Sequence, residues 1–148
     1  MIATEEQLSR LESLIGAQLP QDYRDFMLTS QASAIEHMDY WLAHPDGRWI
    51  ETVEELHSGE QLLQMMEMEV DLRGQGLGDH PSGTIPIANN GCGDSVLLSY
   101  RGGNLGAVFH EFMEEADMDD RWRGVYPLAP SFKAWTQMLA RVPTDEEA

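Results

Sequence analysis

The sequence holds one cysteine, Cys92, and one lysine, Lys133. A lone cysteine forms no internal disulfide and supplies no paired-cysteine zinc or redox motif. The shortage of cations excludes another class, because a phosphate backbone is bound by clustered Lys and Arg, and here eight arginines are scattered over 148 residues. No apolar run approaches the ~20 residues of a membrane span. The first residues, Met1-Ile-Ala-Thr-Glu-Glu-Gln, lack the basic stretch and following apolar stretch of a secretory signal. These absences predict a soluble, cytoplasmic protein with neither nucleic acid nor membrane as partner.

What is abundant is acid. Asp and Glu number 26 against 9 Lys and Arg, a formal net charge of -17, and the isoelectric point lies near 4.4. Such a field confers solubility and favours a basic partner by steering encounter. The excess is densest in the middle, where residues 51–100 carry nine acids and Arg73 alone opposes them. With 42% apolar residues and four each of Trp, Tyr and Phe, the chain is equipped to build one core. The expected organisation is a single domain over residues 1–143 and a polar tail over 144–148.

Local signals order the elements. Thr4-Glu-Glu-Gln7 reads as an N-cap with a capping box and an acidic first turn, Leu8, Leu11, Leu14 and Ile15 recur at helical spacing, and Gly16 stops the helix. Pro20 at the first helical position opens a second helix that buries Tyr23, Phe26 and Met27 and ends near Ser30. Around Pro45-Asp-Gly47, the runs from Ala34 to Ile50 predict a pair of strands or a strand with a loop. Glu51 to Val70 reads as helical throughout, a short helix and a longer one broken at Ser58-Gly59. Of its methionines, Met65, Met66 and Met68, the expected role is core filling. A glycine-rich loop over 73–83 follows. Ile85 and Ile87, then Val96, Leu98 and Tyr100, alternate as strands about the turn Asn89-Asn-Gly-Cys-Gly-Asp94. A second turn at Arg101-Gly-Gly-Asn104 leads to a strand through Phe109 and then an acidic segment from Glu111 to Asp120, whose run from Glu114 to Asp120 reads as a solvated loop. Ser131 caps a last helix that buries Phe132, Trp135 and Leu139.

Residues able to carry chemistry are few. The glycine turn lacks the Lys and Ser/Thr of a phosphate loop and sits between strands, so positive φ at Gly91 or Gly93 is its plain reading. Cys92 could be a nucleophile if His80, His110 or Asp94 activated it. Asp79-His80 and His110-Glu111 could supply metal ligands, but no HExxH-type spacing accompanies them. Glu114-Glu115-Ala-Asp117-Met-Asp119-Asp120 lacks the central glycine and closing glutamate of a calcium loop. No catalytic residue, cofactor or metal is expected, and the weight moves to binding.

Leu8-Ser-Arg-Leu11-Glu12, Ile15-Gly16, Leu19-Pro20, Asp22-Tyr23, Phe26, then Ile85-Pro-Ile-Ala-Asn89, Gly93-Asp94 and finally Ser131-Phe132 with Trp135 occur in an order that resembles the SUKH superfamily. That superfamily includes the yeast cell-wall-synthesis regulators and many bacterial immunity proteins. The resemblance implies a single α+β domain, its helices packed on a central, largely antiparallel sheet. It also implies a non-enzymatic protein-binding role, in bacteria that of an antitoxin blocking a delivered toxin domain, often a nuclease. One departure is that Ser30-Gln-Ala-Ser33 replaces the Asn-Gly turn that commonly follows the second helix. The family carries no fixed catalytic motif, so the expected contacts with a basic partner are acids near loops: Asp71, Asp79, Asp94, Glu114, Glu115, Asp117, Asp119 and Asp120. Regulation or scaffolding of an endogenous partner is the alternative, with a small Cys- or metal-dependent enzyme behind it. Oligomeric state and the partner's identity stay open.

Overall fold

A computed structural model describes residues 2–141. The polar tail expected over 144–148 lies outside them, as does the last part of the domain expected to end at 143. Helix α1 (Glu5–Ile15) begins where its capping box requires: the Gln7 backbone N–H donates to Thr4 Oγ1 at 3.2 Å, and the Thr4 N–H donates to Gln7 Oε1 at 3.0 Å. Gly16 ends it in the left-handed region at φ 70°. Helix α2 (Gln21–Thr29) has Pro20 as its N-cap, one position earlier than the sequence predicts, a shift of the size by which helix ends are ambiguous. After Ser30, where an Asn-Gly turn is absent, the chain takes one 3-10 turn, Ala32–Ala34.

Strands β1 (Asp39–His44) and β2 (Gly47–Thr52) form an antiparallel hairpin about Pro45-Asp46. The short helix expected after Glu51 does not form. Glu51 and Thr52 complete β2, and Glu55–Leu56 is a two-residue strand, β3, paired with the end of the next strand. Val53 and Leu56 are both buried, so their three-residue spacing reports two inward side chains on an extended, bent segment. The one helix of this stretch is α3 (Gly59–Gly74), capped by a Ser58/Gln61 box. Its Met66 is buried as expected, whereas Met68 is exposed.

Strands β4 (Thr84–Asn89), β5 (Ser95–Ser99), β6 (Val108–Glu111) and β7 (Val125–Ala129) extend β3 into a five-stranded antiparallel sheet in chain order. Strand β7 is missing from the sequence reading. Pro127 interrupts its pattern and removes one ladder donor, which is tolerated because β7 is an edge strand of this sheet. Cross-strand register places Ile85, Leu98 and Val108 on one face, with Ile87 and Val96, and all are buried in the core. Pro86, Leu97, Phe109 and Pro127 share the other face. Helix α4 (Phe132–Met138), capped by Ser131 Oγ, packs against α2, where the Phe132 ring meets Tyr23 and Phe26 edge-on at centroid distances of 5.1 and 5.2 Å.

Two buried tyrosines differ in a way that tests the core. Tyr40 Oη lies 2.8 Å from His110 Nδ1, while Tyr23 Oη is sealed in the apolar cluster with no hydrogen-bond partner among the described residues. Burial raises the pKa of both phenols and keeps them neutral. Tyr40→Phe leaves a buried imidazole nitrogen without its donor and is expected to cost about 1–3 kcal/mol. Tyr23→Phe is expected to be neutral or stabilising by about 1 kcal/mol. Urea unfolding of the two variants beside wild type measures the difference.

Candidate interaction face

Three connections meet at one end of the five-stranded sheet. They are the tip of the β1–β2 hairpin, the 90–94 turn between β4 and β5, and the 112–124 loop between β6 and β7. The turn is built by Asn90, whose Oδ1 accepts the backbone N–H groups of Cys92 at 3.0 Å and Asp94 at 3.2 Å. Gly91 and Gly93 take φ of 80° and 97°, which bears out the structural reading of this glycine run. The Met113 side chain lies over Gly93, its Cε 3.0 Å from where a Cβ would stand. The 112–124 loop closes at Gly124, where a Cβ would come within 2.6 Å of Glu115 Cβ.

Beneath the surface a polar chain joins these segments. Fully buried His110, on β6, contacts Tyr40 of β1 through Nδ1 and Asp94 Oδ2 through Nε2, at 2.8 and 3.0 Å. With Nε2–H donating to the carboxylate and the Tyr40 hydroxyl donating to Nδ1, the neutral imidazole is satisfied on both sides. The second oxygen of Asp94 accepts the Met113 backbone N–H at 3.0 Å and so holds the start of the long loop. Asn90 Nδ2 donates to Asp94 Oδ2 and to Glu51 Oε2, each at 3.1 Å, and Glu51 Oε1 accepts from Trp49 Nε1 at 2.8 Å. Glu51, Asp94 and His110 bring one ligand atom each within 4.8 Å of one another, the group among the described residues able to hold a metal ion. The Asn90 amide already bridges its two carboxylates, so internal donors offset their mutual repulsion.

A second contact ties the hairpin tip to the long loop. Glu115 accepts from the Tyr126 hydroxyl at 2.6 Å and lies 3.0 Å from His44 Nε2, and the His44 ring packs against Trp49, Phe112 and Tyr126. The Tyr126 hydrogen bond, foremost, and then His44 hold the Glu115 carboxyl below the usual glutamate range. Asp117 is likewise lowered, chiefly by the Asp119 backbone N–H and also by Arg123.

The eight acids expected at the contact therefore have different situations. Asp94 is largely covered and Glu115 partly so, both holding backbone or side chains in place. Glu114, Asp119 and Asp120 are exposed on the long loop, and Asp117 pairs with exposed Arg123 at 3.3 Å. Asp71, at the end of α3, and Asp79 are exposed in another cluster, where the Arg73 guanidinium donates to Glu69, Tyr100 Oη and the Pro81 and Thr84 carbonyls. That cluster touches the first through His80 and Glu111, 2.6 Å apart. Glu111, placed by the sequence in the acidic segment that follows the strand, is instead the buried last residue of β6. Sequence reasoning missed Tyr40, Glu51 and Asn90 as members of the network, and missed Asp46 and Glu54, which stand beside the same turns.

The match to a family model covers residues 2–138 and is described as the SMI1 / KNR4 family (SUKH-1). The chain belongs to this family. At the family level this supports a non-catalytic binding or immunity-like module associated with protein partners. A search of curated proteins finds no match. Among the described residues of this SUKH chain, no helix is long and apolar enough to cross a membrane.

The depressed Glu115 carboxyl has a pH consequence. Its interactions contribute above the ordinary glutamate pKa and are lost as pH falls through the lowered folded value. A carbon-detected NMR titration is expected to show the Glu115 carboxyl titrating below ordinary glutamates in the wild type, and moving back toward them in Tyr126→Phe.

Proposed function

We propose that this SUKH protein is an immunity protein that binds and occludes a basic toxin domain. The observation that supports this best is the grouping of exposed acids Glu114, Asp119 and Asp120 with Asp46 and Glu54 around three loops of one rigid sheet end, in a chain of net charge -17. A nuclease domain binds phosphates and is basic around its active site, so an acidic face competes for the same field. Loops carried on a rigid sheet can vary in sequence while the scaffold stays fixed, which suits a family that meets different partners.

Regulation of an endogenous partner, as in the yeast relatives, is the second reading. The same family membership favours it, and a neighbouring gene for a large secreted toxin separates the two. Chemistry at Cys92 has little support. The thiol stands on an exposed turn, and the imidazoles proposed to activate it have other contacts, His110 with Tyr40 and Asp94 and His80 with Glu111.

Co-expression with the neighbouring toxin is expected to restore growth and to yield a complex by pull-down. Reversing Glu114, Asp119 and Asp120 to lysine is expected to slow association by about tenfold or more at low salt and to flatten its salt dependence. Unchanged affinity, association rate and salt dependence in that triple variant would remove electrostatic steering from the proposal.

A further inference from the structure

The 112–124 loop carries a feature that acidity does not account for. Met113, Met118 and Trp122 are 59%, 61% and 41% exposed, more large apolar side chains in the open than any other connection shows among the described residues. Single exposed apolar groups are ordinary, but several on one segment mark an interaction site. Side chains from the neighbouring elements anchor two of them. Met113 is anchored by its N–H to Asp94 and lies over Gly93. The Trp122 ring packs edge-on against Phe109 at a centroid distance of 5.2 Å. Met118 borders a concavity of about 450 Å³ whose other walls include Glu114, Asp117 and Arg123.

An occupant of this surface has to satisfy apolar and anionic groups together. Guanidinium does so better than ammonium: it is weakly hydrated, stacks on indole, and pairs with carboxylates through a planar fork. The molecule displays both halves of that chemistry. Arg48 lies over the Trp41 ring at 4.4 Å, and inside the concavity Arg123 holds Asp117. Methionine thioethers beside these acids accommodate aliphatic side chains of varied shape.

We infer that the 112–124 loop docks an arginine-bearing, partly apolar segment of a protein partner. Met118 supplies the apolar contact beside Glu114 and Asp117, Met113 and Trp122 flank it along the loop, and Arg123 occupies Asp117 until the partner's arginine replaces it. This rests on the protein-binding reading above and adds the anchoring loop and the chemistry it selects.

The test titrates the full chain with a blocked pentapeptide of alternating leucine and arginine, and with two counterparts in which lysine replaces arginine or serine replaces leucine. Calorimetry is expected to rank the leucine–arginine peptide first, the lysine peptide about fivefold weaker and the serine peptide about tenfold weaker. Amide shifts in NMR should centre on 112–124. A Met113→Ser, Met118→Ser double variant should bind about tenfold more weakly at an unchanged melting temperature. Arg123→Gln should tighten binding about threefold, a gain abolished by Asp117→Asn, whereas Arg121→Gln, with the same charge change in the same loop, should alter it less than twofold. Equal binding of the three peptides, shifts elsewhere, or equal effects of the two arginine variants overturns the inference. Growth rescue by the same methionine variants is scored separately. Failure of wild type to rescue counts against the immunity reading and leaves the peptide result to decide this one.

Discussion

His110 stands at the junction on which the functional end of the molecule depends. A fully buried imidazole in an otherwise apolar sheet face is costly unless both nitrogens find partners. Here the partners come from different parts of the chain, Tyr40 on one side and Asp94 on the other. Asp94 in turn holds the Met113 backbone, and Asn90 links it to Glu51 and through it to Trp49. One side chain thus fixes where the hairpin, the glycine turn and the long loop stand relative to the sheet. The rigidity is directional: it governs the base of each loop and leaves the outer acids and methionines facing solvent.

The carboxylates divide accordingly, which changes what a charge of -17 means. Glu69 and Glu111 are buried, and Asp94 is mostly covered; each is bound to backbone N–H groups, arginine or histidine. Such groups support the fold, and their field is partly cancelled by the dipoles and cations that hold them. Glu114 and Asp119 have no comparable structural duty among the described residues and project their charge outward, and exposed Asp120 adds to them although its carboxylate also accepts the Trp122 backbone N–H at 3.2 Å. Solubility alone would be served by acids spread evenly over the surface. Their placement on the loop that also exposes Met113, Met118 and Trp122 asks for a second explanation, and recognition of a partner supplies it.

Much of the fold was legible because its signals are local. Capping boxes at Thr4 and Ser131's cap, the glycine at 16 and the alternation around Asn89–Asp94 act within a few residues, and the structure places elements at each. The errors fall where tertiary contacts decide. Val53 and Leu56 mimic a helical stripe, yet pairing of β2 with β1 and of Glu55–Leu56 with β4 wins over local spacing. β7 hides behind Pro127, whose missing donor matters little at a sheet edge. The interaction face was legible only as a list of acids. Tyr40, Asp94 and His110 carry no motif spacing, and only the register that brings β6 beside β5 and the hairpin over both makes them one group.

This arrangement separates two properties of a binding protein that usually trade against each other. Long-range attraction depends on net charge near the contact and is indifferent to the details of packing, so it governs how fast a basic partner arrives. Residence depends on desolvated apolar anchors and close ion pairs, so it governs how long the partner stays. If the anchoring loop were loosely held, ordering it would subtract from the second term on every encounter. Asp94 beneath Met113, Tyr126 on Glu115 and Phe109 under Trp122 hold that loop at its start, middle and end. A buried His–Asp–Asn network is therefore more than a means of satisfying polar groups: it lowers the ordering cost of a surface whose outer residues remain free to diversify.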